Sequence, residues 1–142
     1  MLHPYVEEVE LHLRSISILI RHHTRELLTQ YDLTLPQYYA LIHLRKHRLT
    51  MGELCCRLYL ASSTVTDLVD RMEKLDLVTR VRDEEDRRVI RIEVQDAGRQ
   101  IIERVMQDRL RFLSERLRKL NEKQVEKLVT LLEELHTLME SN

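Results

Sequence analysis

Apolar positions along the chain fall into stripes whose spacing changes twice. Over residues 4–31, Val6, Val9, Leu13, Ile16, Ile20, His23 and Leu27 recur at alternating steps of three and four. That spacing predicts one long amphipathic helix with an a/d-type seam. Its other faces carry Glu7, Glu8, Glu10, Arg14, Arg21, Arg25 and Glu26. Pro4 suits the first turn, where a missing N–H costs little. Tyr31-Asp32-Leu33 interrupts the stripe. Thr34 followed by Gln37 then reads as a capping box, with Pro36 in the first turn of a helix that runs to Lys46. His47-Arg48-Leu49 is a short connection. Thr50 is a second N-cap with Glu53 at its N3 position, and residues 51–58 form a short helix burying Leu54, Cys55 and Leu58. After Tyr59-Leu60-Ala61, Ser62 or Ser63 caps a helix to Leu75, with Val65, Leu68, Val69, Met72 and Leu75 on its apolar side.

Beyond Asp76 the period shortens to two. Residues 78–82 and 89–94 are rich in β-branched side chains, and Ile90, Ile92 and Val94 alternate with Arg91 and Glu93. These runs predict the two strands of a hairpin. The charged tract 83–88 is its exposed tip. From Asp96 the helical period returns through Ile102, Met106, Leu110, Leu113, Leu117 and Leu120. Asn121 with Gln124 is a third capping box, opening a last helix with Val125, Leu128, Leu132, Leu135 and Met139. The predicted fold is mainly α with a small two-stranded β-wing: a winged helix-turn-helix between helical ends.

Composition narrows this picture. A chain of 142 residues with two glycines and two prolines fits one domain of long helices. Lys plus Arg number 23 against 24 Asp plus Glu, a net charge of −1, so global charge gives no support for nucleic-acid binding. The only cysteines, Cys55 and Cys56, are adjacent and do not read as a disulfide framework. A reducing, cytoplasmic setting is expected. There is no basic-then-apolar leader, and no apolar run approaches the roughly 18 residues of a membrane span.

The middle segment carries the candidate chemistry. A short helix, a tight turn and a longer helix are the parts of a helix-turn-helix, whose second helix projects into a major groove. The start of that second helix exposes Ser62, Ser63, Thr64, Thr66 and Asp67. Small hydroxyl side chains allow close approach and bond base edges or phosphates. Arg71, further along the helix, is within reach of the backbone. The competing reading is that Ser62 and Ser63 are caps and nothing more. At the hairpin tip, Arg87 and Arg88 suit a narrow minor groove, with Asp86 orienting one of them through a bidentate pair. Here the competing reading is an ordinary solvated charged turn. From residue 57 to 91 there are eight basic and eight acidic residues, so only spatial segregation of the two signs makes a DNA face.

Other chemistries are less well supplied. His43 and His47 stand four apart on one predicted helix, but no third ligand lies at local spacing, and no metal site is expected. Cys55 and Cys56 suit packing better than redox sensing. Signatures of phosphate loops, nucleophile elbows and zinc proteases are missing, so an enzyme is not expected. The alternative of another class is a helical module that binds partner proteins through its stripes, without DNA.

Residues 51–98 resemble the MarR family of bacterial transcription regulators. The resemblance is carried by Glu53-Leu54, the Ser-Thr-Val-Thr run at 63–66 and Leu68-Val69-Asp70-Arg71-Met72-Glu73. It continues in Leu77-Val78 with Arg80, and in Asp86-Arg87-Arg88 followed by a strand and Gly98. Upstream it reaches Leu33-Thr34 and Gln37; downstream it reaches Leu120, Leu128, Leu131 and Leu132. The resemblance implies one domain over 1–142. Within it, 33–98 is the DNA-binding part, and 1–32 with 99–142 is the dimerisation part. It implies a homodimer interlocked through Val6, Val9, Leu13, Ile16, Leu117, Leu128, Leu132 and Leu135. Its partner is a palindromic double-stranded DNA site. Ser62, Ser63, Thr64 and Thr66 make the contacts in the major groove, and Asp86, Arg87 and Arg88 form the wing. It also implies repression relieved by a small phenolic or lipophilic effector, with redox- or metal-sensing variants of the same regulator as an alternative. Two departures stand out. Asp76 occupies the position after the recognition helix where the family commonly has Gly, and Gln95 stands where a capping Thr is usual, with Asp96 beside it.

Overall fold

The first stripe folds as helix α1, Val6–Leu28, followed by a 3-10 turn at Thr29–Tyr31, in a computed structural model that describes residues 1–141. Asn142, the last residue of the expected domain, lies outside the described residues. Pro4 stands ahead of the N-cap Tyr5, so it belongs to the turn before the helix and not to its first turn. The side of α1 that reaches the core is also one position away from the predicted seam: Thr24 and Leu28 are buried, while His23 and Leu27 are half-buried. The buried Thr24 hydroxyl donates to the Ile20 carbonyl at 2.8 Å, which satisfies it locally. Toward the N-terminus the helix keeps Val6, Val9, Leu13 and Ile16 exposed, and Leu11, Ile18 and Leu19 with them.

Helix α2, Leu35–Lys46, begins with the expected capping box: Thr34 accepts from the Gln37 N–H, and the Gln37 side chain accepts from the Thr34 N–H. Its residues Tyr38, Ala40, Leu41 and Leu44 are buried. The connection after α2 is not wholly irregular. Leu49–Thr50 form a short strand, β1. Strands β2, Val78–Arg82, and β3, Ile90–Val94, form the expected hairpin, and β1 pairs antiparallel with β3 to give the order β1-β3-β2. The sheet is therefore three-stranded where two strands were expected. A two-residue strand is too short to show a period of two, and only its pairing of Leu49 with Ile92 and Thr50 with Arg91 reveals it.

Thr50 also caps helix α3, Met51–Leu58, by accepting from the Glu53 N–H at 3.1 Å. Helix α4 spans Ser62–Lys74. Helix α5, Asp96–Leu117, and helix α6, Glu122–Glu140, are separated by a turn that ends in the predicted Asn121–Gln124 capping box. The chain forms two compact units, Met1–Met106 and a second beginning at Gln107. In the first, Leu28, Tyr38, Leu41, Leu54, Val65, Met72, Ile92 and Ile102 are among the residues with essentially no exposed surface.

Gly98, in the first turn of α5, is buried at the tightest approach in this core. A Cβ placed there would lie 2.6 Å from the Leu77 carbonyl oxygen, 2.8 Å from Val94 Cγ2 and 3.3 Å from Leu41 Cδ2. The Leu77 carbonyl cannot withdraw freely, because it accepts the Gln95 N–H at 2.8 Å. Gly98→Ala should therefore destabilise the protein by about 1–3 kcal/mol, the cost of overpacking a filled site. Thermal melting checks this, and an unchanged midpoint would show that the backbone relaxes without cost.

Candidate nucleic-acid interface

Helices α3 and α4 are joined by a turn of three residues. Tyr59 takes a left-handed conformation with φ of 55°, and the N–H groups of Tyr59 and Leu60 both donate to the Cys55 carbonyl, ending α3. Ala61, with φ −65° and ψ 149°, is the N-cap of α4. The expectation that Ser62 or Ser63 caps this helix is thus corrected: both are already helical, and no side chain caps the helix start. The extended conformation that marks an N-cap falls one residue earlier, on a side chain with no acceptor. The first-turn N–H groups of α4 thus have no capping side chain.

Along α4 the two faces separate cleanly. Val65, Leu68, Val69 and Met72 are buried, while Ser62, Ser63, Thr64, Thr66, Asp67 and Arg71 are exposed. Thr66 donates its hydroxyl hydrogen back to the Ser62 carbonyl at 2.9 Å. Leu75, counted in the predicted stripe, is the C-cap and is exposed. Asp76 follows with φ of 57°, occupying the left-handed position that the resemblance assigns to Gly.

The acids that looked out of place at the hairpin tip are its internal scaffold. Asp83 accepts from the Glu85 N–H at 2.9 Å, from the Asp86 N–H at 3.1 Å and from Arg91 Nε at 2.6 Å. Arg91 also reaches Glu53 of α3, with Nη1 3.3 Å from Oε1. Asp86 Oδ1 accepts from both the Arg88 N–H and Arg88 Nε, and Oδ2 accepts from Nη2, each at 3.1 Å. This is the bidentate orientation expected for one of the two arginines. Arg82 donates to the Arg87 carbonyl at 2.9 Å. The Arg87 and Arg88 side chains stay exposed, and Arg87 forms no ion pair within the described residues.

A second clamp ties the hairpin to α4. Arg80 of β2 sits between Asp70 and Glu73 of α4, with Nη2 2.7 Å from Asp70 and Nη1 3.0 Å from Glu73. Asp70, Glu73, Asp83 and Asp86 are thus all engaged by arginines, which is how a segment with no basic excess still presents free cationic groups at Arg71 and Arg87. Sequence reading missed Arg80, Arg91, Asp83 and Glu53 as a group. Their partners lie 7 to 38 residues apart and on different elements, so no helical or strand spacing signals them.

The histidine reading changes as well. His43 is half-buried, and burial together with Arg57 and Lys46 lowers its pKa below the ordinary value, favouring the neutral imidazole. His47 is the C-cap of α2, with φ −148° and ψ 145°, so the two histidines do not share a helical face. Cys55 packs half-buried against the core, and Cys56 is exposed.

A helix, a tight turn, a second helix with an uncapped start and a hairpin braced against both together define a winged helix-turn-helix. Known proteins agree. A model described as MarR family matches residues 31–89. An uncharacterised helix-turn-helix transcriptional regulator of Bacillus subtilis, YsmB, is 44% identical over 77% of this chain and 75% of its own length. The organic hydroperoxide resistance transcriptional regulator of the same organism is 36% identical over 79% of this chain and 78% of its own. A MarR family protein from Bacillus stearothermophilus superposes with a TM-score of 0.91, at 42% identity and 99% coverage of both chains. The chain belongs to the MarR family of transcriptional regulators.

The Arg91 side chain, and then the Asp86 and Glu85 N–H groups, hold the Asp83 carboxyl at about 2, below its ordinary 3.8. A lowered carboxylate pKa adds stability that is present above the unfolded-state value and lost as pH falls through the folded-state one. Asp83→Asn should therefore melt below the parent at neutral pH, and the gap should close from about pH 4 down to about 2. A gap that stays constant across that range would contradict the role of the ionised carboxylate.

Proposed function

We propose that the chain is a sequence-specific duplex-DNA-binding repressor, acting in the cytoplasm as a homodimer on a palindromic operator. The observation that carries this is the start of α4. Its small hydroxyl side chains are exposed on one face, and its backbone N–H groups have no capping side chain. Ser62, Ser63, Thr64 and Thr66, with Asp67, are the groove-facing set, and Arg71 is a backbone contact. Arg88, oriented by Asp86, and the unpaired Arg87 are the minor-groove contacts of the wing. The helical interaction module without DNA accounts for the apolar stripes but for neither the uncapped helix start nor the braced wing.

Support for the dimer comes from apolar side chains that a monomer leaves in water. Val6, Val9, Leu13 and Ile16 on α1 are 37–52% exposed, and Leu128 and Leu132 on α6 are 38% and 48% exposed. Leu117 and Leu135 are half-buried and extend the same set. Two-fold symmetry then requires half-sites about one turn, or roughly 10 bp, apart. A small phenolic or lipophilic effector belongs to this reading on the strength of the family resemblance.

Fluorescence anisotropy against a random-sequence duplex in low salt tests the DNA reading; no binding above background would overturn it. Replacing Arg87 or Arg88 with Ala should weaken binding and flatten the salt dependence by about one unit of log–log slope each. Equal slopes for variant and parent would contradict the wing assignment. The dimer is checked separately by sedimentation of Leu132→Asp combined with Leu135→Asp. The parent should run as two chains and the variant as one chain or as aggregate. A parent that sediments as a single chain would remove the dimer from the account.

A further inference from the structure

Three residues other than glycine have positive φ: Asp32, Asp76 and Tyr59. Aspartate tolerates that region through its short polar side chain, but a bulky aromatic does not, and glycine would occupy it without strain. Tyr59 recovers nothing inside the chain for this conformation. Its side chain is 94% exposed, and its ring and hydroxyl have no partner within the described residues. Holding the turn needs only backbone: the Tyr59 and Leu60 N–H groups bond the Cys55 carbonyl, and Leu60 supplies the apolar contact with the core. A strained, exposed and internally unrewarded side chain points to an external partner. Its position says which one, because Tyr59 lies two residues before the N-cap of α4, at the uncapped end of the helix assigned above to the major groove.

We propose that Tyr59 is a DNA-backbone contact, its hydroxyl donating to a phosphate and its ring lying against the adjoining deoxyribose at the edge of the groove that α4 enters. The inference rests on the DNA reading above. A phenol is neutral, so this contact adds affinity without releasing a counterion and without distinguishing base sequence. It fixes where α4 enters the groove, alongside the charged contacts of the wing.

The test compares the parent with Tyr59→Gly, Tyr59→Asn and Tyr59→Phe, by thermal melting and by anisotropy titration. The probes are a random-sequence duplex and a duplex selected by the parent from a random library. Gly and Asn should fold with melting temperatures roughly 0–4 °C above the parent, because the left-handed strain is relieved. Both should bind each duplex about 5- to 10-fold more weakly. Phe should keep the parent's melting temperature and lose about threefold in affinity. In all three the salt slope should match the parent's, unlike that of an arginine variant. Parent-like affinity for Tyr59→Gly would overturn the proposal while leaving the DNA reading standing. So would a loss confined to the selected duplex, which would mean that the ring reads bases. A parent that binds neither duplex would overturn both.

Discussion

A two-stranded ribbon has little core of its own and does not hold a direction in water unaided. The base of this wing is anchored by β1 and by the buried Val78, Ile92 and Val94, and Arg91 adds a charged link. One guanidinium reaches Asp83 at the hairpin's far end and Glu53 on α3, so the ribbon and the first helix of the helix-turn-helix share one charged link. Arg80 makes the corresponding link to the second helix through Asp70 and Glu73. Each pair is partly exposed and modest in energy by itself. Their importance lies in geometry: together with the β1–β3 pairing, the two arginines tie the wing to both helices of the helix-turn-helix.

Charge bookkeeping along the sequence hides this arrangement. Equal numbers of acids and bases suggest a neutral surface, yet the acids serve as acceptors within the domain. Asp83 organises the tip through two N–H groups and an arginine, and Asp86 holds the Arg88 fork. The cationic side chains at Arg71 and Arg87 remain exposed. A nearly neutral chain can in this way leave local cationic groups exposed, and the wing acids that weigh against DNA in a count are the acceptors that hold Arg88 and Arg91.

Much of the fold was legible because helices report themselves through spacing and caps. Two capping boxes, at Thr34 and Asn121, lie where a hydroxyl or amide precedes a Gln by three residues, and α3 was bounded to the residue. What escaped was set by tertiary contact. Strand β1 is two residues long and exists only through β3. The face of α1 that enters the core is chosen by Thr24 and Leu28, whereas the long apolar seam stays outside, so the strongest periodic signal marked a different surface from the core. Gly98 was noticed only as part of a family pattern, and its physical reason is the Leu77 carbonyl 2.6 Å from where a Cβ would sit. At the candidate site, sequence reading named the exposed residues of α4 and the arginine tip. The clamps behind them span too much sequence to be seen, and the cap fell on Ala61 because the turn needed an extended residue one place earlier than the serines.

The central claim is that the start of α4 and the wing tip engage duplex DNA together. Amide hydrogen exchange with and without a random-sequence duplex in low salt tests it most directly. Protection should rise in 62–67 and in 86–89 at the same duplex concentration, with α6 unchanged. Binding without protection at either segment, or protection of one segment alone, would contradict it.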